Sequence, residues 1–198
     1  IETKINISKE KIGKNLLEAI SNGVTDGLRL AVNVGAMLIV FIALVAMVNY
    51  FLKDIIGAYF HLNQQIADIT NSRYDGLSLQ FLLGLGCAPL SWLMGVCKED
   101  MVLVGQLIGE KTILNEFVAY TTLGKMQFSN LFAEEKSIVI ATYILCGFAN
   151  FASIGIQIGG IGALAPAQKT TLSELGILAL IGGTVASMFT AVIVGMLL

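Results

Sequence analysis

The sequence predicts an all-α, polytopic membrane protein with an interfacial helix, a re-entrant helical hairpin and a broken transmembrane helix. Three observations predict it. Hydrophobic residues make up 56% of the 198 and charged residues only 13%, against roughly a quarter charged in soluble domains; the mean hydropathy is +0.79. Residues 30–52, 76–97, 137–168 and 175–198 carry no charge. Each stretch is long enough for a hydrocarbon core, which needs about 20 helical residues, and so short a chain cannot hide four such helices from water. Finally, two apolar regions are interrupted by polar or glycine-rich positions, a pattern of broken and re-entrant helices rather than straight spans.

The elements follow in chain order. Residues 1–30 form a polar lead and an amphipathic helix over 8–28. Ser8 is its N-cap candidate, and Ile12, Leu16, Leu17, Ile20 and Val24 make an apolar stripe at helical spacing. Lys9, Lys11, Lys14 and Glu18 supply the polar side, and the lysine excess favours the cytoplasmic face. Residues 31–53 form the clearest span, with Asn33 and Asn49 near its ends, where amides reach water or headgroups, and Tyr50 and Lys53 at an interface. Residues 54–75 are polar and predict an exposed connection. Pro89 predicts that the 76–97 stretch divides near Cys87–Pro89, because proline lacks the amide donor and restrains its predecessor.

Residues 99–124 predict a hairpin. Met101–Ile108 is apolar, Gly109-Glu110-Lys111 interrupts, and Ile113–Leu123 resumes. Neither arm spans alone, so the polar triplet is placed at a re-entrant tip, which needs protein or a wet cavity around it. Residues 137–168 exceed one simple span and hold Gly147, Asn150, Ser153, Gly155, Gln157, Gly159, Gly160 and Gly162, which predict a helix broken near its middle, over about 137–163. Discontinuous helices of this kind build midplane sites in secondary transporters. Residues 171–198 form the last span, with Thr171 as cap candidate and Glu174 three residues on.

Glu116 is the first candidate functional group. It sits with Asn115 among apolar residues, where a carboxylate is costly without a partner, a wet cavity or a ligand. An ion pair with Lys111 is the structural alternative, at a spacing poorly suited to a helix; Lys111 pairs with Glu110 or lies at the hairpin tip. Asn150, Ser153 and Gln157, spaced i, i+3, i+7, share one helical face. That stripe serves either interhelical hydrogen bonding or, with Glu116, a polyhydroxylated or heterocyclic ligand. Phe148 either fills core or packs on a base or sugar. The pairs Gly105/Gly109 and Gly155/Gly159 fit small-xxx-small helix contacts.

Other functions lack residues to perform them. The net charge of −2 includes no basic patch for nucleic acid. Cys87, Cys97 and Cys146 lack metal-ligand spacing, Cys87 and Cys146 are expected to pack as small core residues within apolar runs, and the lone His61 has no histidine or cysteine nearby. No nucleophile elbow, zinc-protease motif or phosphate loop is present. No metal or cofactor site and no enzymatic activity are therefore expected. The chain starts without Met or a signal segment, which leads to the expectation of one half of a larger membrane protein.

Gly-Glu-Lys-Thr-Ile-Leu-Asn-Glu-Phe-Val-Ala-Tyr, residues 109–120, resembles the signature of the concentrative nucleoside transporter family. Cys-Gly-Phe-Ala-Asn-Phe-Ala-Ser-Ile-Gly at 146–155 and Gly-Gly-Ile-Gly-Ala-Leu-Ala-Pro at 159–166 resemble it too. The resemblance covers essentially the whole chain and corresponds to the C-terminal half of such a transporter. It implies a sodium- or proton-coupled nucleoside symporter working by alternating access, multi-pass in the plasma membrane (a bacterial inner membrane). Members of the family are homotrimers with a scaffold and a transport domain built from two inverted repeats. Residues 31–53 are then the scaffold helix and 54–198 half of the transport domain. Carried over by the resemblance, Glu116 is expected to hold ribose hydroxyls, Asn150 and Ser153 to contact the ribose, and Phe148 to line the site. The base-contacting hairpin and the sodium ligands belong to the N-terminal half, so the implied partners are a nucleoside, the bilayer and that half. The alternatives are a carrier of another small polar solute on this architecture, and a non-transporting receptor or assembly subunit.

Overall fold

The structure, a computed structural model, describes residues 15–164 and 166–198. All regular structure among them is helical. Helix α1 runs Leu16–Tyr50 and passes into a π-helical segment, Phe51–Gly57. Then come α2 (Leu62–Ile69), α3 (Leu79–Leu93), α4 (Met101–Ile113), α5 (Glu116–Phe128), α6 (Glu135–Leu145), α7 (Phe151–Leu164), a 3-10 turn at Pro166–Gln168 and α8 (Lys169–Met196).

The core forms around α4, whose residues from Leu103 to Lys111 are all buried. Leu103, Val104, Leu107 and Ile108 pack with Ala119 and Leu123 of α5, Ile140, Ile144 and Leu145 of α6 and Ala191 of α8. Helix α3 lies directly against α4. A Cβ on Gly105 would overlap the Gly84 carbonyl and come within 2.9 Å of the Ala88 amide. The Gly105/Gly109 pair is thus a true close contact, with Gly109 under Leu83, whereas a Cβ on Gly155 or Gly159 would meet no atom of another element within 4 Å among the described residues. Apolar residues also face outward. On α8, Leu178, Phe189, Ile193 and Met196 are exposed. That helix is long and apolar enough to cross a membrane, and Ile42–Gly57 qualifies only together with Leu62–Ile69 across a 101° bend.

Several elements depart from the sequence reading. The helices placed at 8–28 and 31–53 are continuous from Leu16, because nothing between Asp26 and Ala31 breaks helical geometry; Arg29 marked a polarity boundary, not a backbone one. The cap is Asn15, whose side chain accepts from the Glu18 amide at 2.8 Å; Ser8 lies outside the described residues. The 54–75 connection is largely helical, with Ile66 and Tyr74 buried. Its Asn63 donates to the Lys53 carbonyl (2.9 Å) and accepts from the Leu77 amide (3.0 Å). Asn49 binds the start of α3 rather than headgroups, donating to Gln80 and accepting from the Leu79 amide, both at 2.8 Å.

Pro89 does not divide α3; it sits inside one helix capped by Ser78. One lost amide donor is tolerated where neighbouring helices pack closely enough to hold the backbone in register. The hairpin turns at Leu114-Asn115, not at Gly109-Glu110-Lys111, which stay inside α4 with Glu110 3% and Lys111 1% exposed. Each keeps one hydrogen bond in the interior, Glu110 from Gln106 and Lys111 to the Ile144 carbonyl, and so neither is placed at the tip. The helix expected to break in its middle does so over 146–150, between α6 and α7. Helix α8 starts at Lys169, so Thr171 and Glu174 lie within it and form no capping box.

Candidate functional site

Two helix N-termini build the site. At the hairpin turn the Asn115 side chain accepts from the Val118 amide at 2.9 Å and caps α5, which makes Glu116 the first helical residue. The positive end of the helix dipole favours a carboxylate there. At the break, the Asn150 Oδ1 accepts from the Ser153 amide at 2.7 Å and caps α7 in the same way. That bond fixes the amide's orientation, since only the oxygen can accept from an N–H. The Asn150 Nδ2 must then point the other way, and it donates to Glu116 Oε2 at 2.8 Å. One buried side chain, 2% exposed, therefore ties the hairpin to the broken helix.

Two further contacts hold the break against the hairpin. The buried Lys111 ammonium donates to the Ile144 carbonyl at 2.8 Å, at the C-terminal end of α6, where a cation complements the dipole. The Tyr120 hydroxyl donates to the Thr142 carbonyl (2.9 Å) and meets the Cys146 sulfur at 3.1 Å. Cys146 is thus an exposed partner and not core filling. Lys111 pairs neither with Glu110 nor at a tip, and it makes no ion pair with Glu116 within 4.0 Å among the described residues. Gly147 is required here, because a Cβ would overlap the Ser187 hydroxyl and lie 3.2 Å from the Lys111 ammonium.

A cavity of about 430 Å³ opens beside the break, lined by Phe148, Asn150, Ser153, Gln157 and Leu175 among others. The four candidates are placed as follows. Asn150 and Ser153 join through the cap and line the cavity, Glu116 reaches it through Asn150, and Phe148, a residue 71% exposed, lines it. The presumed helical stripe is revised, since Asn150 precedes α7 and only Ser153 and Gln157 lie on it. Sequence reasoning missed Lys111 and Tyr120 as the fasteners of the break; their signal was a lysine and a tyrosine flanking Asn115-Glu116 in an apolar stretch. Among the described residues, no group of three or more His, Cys, Asp or Glu is placed to hold a metal ion.

Residues 2–195 match the family described as Na+-dependent nucleoside transporter C-terminus. The chain belongs to that family. It is 41% identical over 185 residues to an uncharacterised transporter of Haemophilus influenzae, covering 92% of this chain and 41% of that protein. It is 35% identical to the nucleoside permease NupC of Helicobacter pylori, over 99% of this chain and 44% of that one. Mouse solute carrier family 28 member 3 is 40% identical over 93% of this chain and 26% of its own length. The fold resembles CNTnw in an inward-facing substrate-bound state, with a TM-score of 0.74, 33% identity, and coverage of 98% of this chain and 44% of that one. An outward-facing form of CNTnw gives a TM-score of 0.75 at 32% identity, over 95% of this chain and 42% of that one. The chain spans about two fifths of the length of the bacterial relatives it matches. The family is one of sodium-dependent membrane transporters, not of enzymes.

Proposed function

We propose that this chain is the C-terminal half of a cation-coupled nucleoside symporter and that its break and hairpin hold the ribose. The observation that carries the proposal is the Asn150–Glu116 hydrogen bond at the meeting of two helix N-termini, beside the cavity. Oε2 of Glu116 is held by Asn150, which leaves Oε1 to accept from a sugar hydroxyl, and charge-assisted bonds of this kind are the stronger ones. Ser153 and Gln157 add polar groups, and the exposed Phe148 ring offers a face for the sugar or base. The α1 stretch from 31 acts as scaffold and residues 54–198 as half of the transport domain. The N-terminal half supplies the base contacts and the sodium or proton ligands, and the assembly is a homotrimer in the plasma membrane, a bacterial inner membrane for a bacterial source. The similar likeness to inward- and outward-facing CNTnw supports a unit that keeps its packing while moving in alternating access.

The test is uptake by vesicles containing the complete transporter with this chain in it. Sodium- or proton-driven uridine accumulation that other nucleosides compete away is expected. Uptake of a different polar solute without nucleoside competition, or no transport at all, refutes the reading.

A further inference from the structure

A second polar cluster lies in the hairpin, apart from the ribose site. Gln106 and Glu110, one turn apart on α4, are 6% and 3% exposed. The Gln106 Nε2 donates to Glu110 Oε1 at 2.8 Å. The two remaining side-chain oxygens, Gln106 Oε1 and Glu110 Oε2, are buried without a hydrogen-bond partner, the only such atoms among the described residues. Both are acceptors, so no rotation of either group lets them satisfy each other. An orphaned neutral acceptor is costly, and an orphaned buried carboxylate oxygen more so.

One proton removes both deficits. Placed on Glu110 Oε2, it is donated to Gln106 Oε1 while the Gln106 amide still donates to Glu110 Oε1. The pair becomes a neutral carboxyl–amide ring with two hydrogen bonds and no orphan. We propose that Glu110 and Gln106 form a proton-binding site in this half of the transporter, separate from the coupling-ion ligands assigned to the N-terminal half. A cavity of about 430 Å³ lined by Asn49, Lys53, Tyr74, Asp75, Gln80 and Gln106 reaches the Gln106 side of the pair.

Among the described residues the surrounding charges leave Glu110 without a salt bridge. The Thr122 hydroxyl of α5 approaches Glu110 without completing a hydrogen bond, and Lys125 acts on it as a favourable charge, but Lys125 is exposed and makes no ion pair with it among the described residues. From the loop before α3, Tyr74 donates to the Val102 carbonyl at 3.4 Å, and Arg73 pairs with Asp100 at 3.7 Å. Lys53 pairs with Asp75 at 3.7 Å. Helix α3 carries no charged residue. The charges of α6, Glu135 and Lys136, sit in its first turn beside Asp100, since Asp100 accepts from the Glu134 amide. Asp100 is ten residues, about 15 Å of helix, from Glu110. On α4 itself Lys111 is engaged by Ile144.

The test uses the complete transporter in lipid nanodiscs and reads protonation directly by infrared difference spectroscopy. The parent protein minus Glu110→Gln is expected to show a protonated-carboxyl band at neutral pH. Gln106→Leu is expected to keep that band and shift it to higher frequency, because the carbonyl has lost its amide donor. A folded form that binds this proton more tightly than the unfolded form loses stability as pH rises. The melting temperature of the parent therefore falls from neutral to alkaline pH more steeply than that of Glu110→Gln, whose amide copies the protonated carboxyl. Absence of the band, or its persistence in Glu110→Gln, overturns the proposal. So does stabilisation by added sodium that Glu110→Gln abolishes, since a metal cation would then occupy the site. The spectrum does not require transport, so failure of the nucleoside reading would leave this result standing and be told apart from it.

Discussion

Replacing Asn150 by aspartate separates the two jobs of that side chain. Aspartate caps helices about as well as asparagine, so the Ser153 amide keeps its acceptor, 2.7 Å away in the parent. The Nδ2 that donates to Glu116 at 2.8 Å becomes an oxygen. Two carboxylates then face each other. At about 4 Å, after relaxation, and an effective dielectric of about 20, their repulsion is about 4 kcal/mol, on top of a lost charge-assisted bond of about 1.5–3 kcal/mol. The pair relieves itself by moving apart or by taking up one proton. Nucleoside affinity is therefore expected to fall by at least about 100-fold at neutral pH and to recover partly as pH falls and one carboxyl becomes neutral. Asn150→Ser, which keeps a capping oxygen but cannot reach Glu116, should lose affinity without that pH recovery. The assay is calorimetric titration of uridine into the complete transporter across pH, with melting curves beside it. Parent-like affinity in Asn150→Asp at neutral pH, or the same pH profile in Asn150→Ser, would refute the idea that this amide joins hairpin and break.

Three other outcomes are expected. Glu116→Gln should lower ribonucleoside affinity by about 1–2 kcal/mol, roughly tenfold or more, and lower the affinity of analogues lacking the contacted hydroxyl far less; a uniform loss with a large drop in melting temperature would assign Glu116 to the fold instead. Lys111→Met removes a buried ammonium that no carboxylate balances within 4.0 Å among the described residues, so stability should hold or rise while binding weakens by at least about tenfold as the break loses its anchor; melting curves and titrations on one sample decide it, and a lower melting temperature with unchanged affinity contradicts it. Gly105→Ala drives a methyl into the α3 backbone at Gly84 and Ala88 and should cost about 1–3 kcal/mol, read as a lower melting temperature.

The charge-free stretches, the two interrupted regions and the isolation of Glu116 were readable in the sequence, because hydropathy and breaker residues act locally. They led to an all-helical chain, a hairpin, a helix that breaks and the four candidate side chains. Tertiary structure decided where each feature falls. Glu110 and Lys111 read as a hairpin tip only on the assumption that charge seeks water; the fold supplies Gln106 and the Ile144 carbonyl instead, and the turn moves to Leu114-Asn115. Pro89 read as a break, yet the close contact of α3 with α4 outweighs one missing hydrogen bond. Asn150 read as one position on a helical stripe, and its role as a cap facing Glu116 depends on a residue 34 positions away. Periodicity constrains residues within a few turns of each other. A bond between two helix ends is set by how those helices pack, and only the folded chain brings those two ends together.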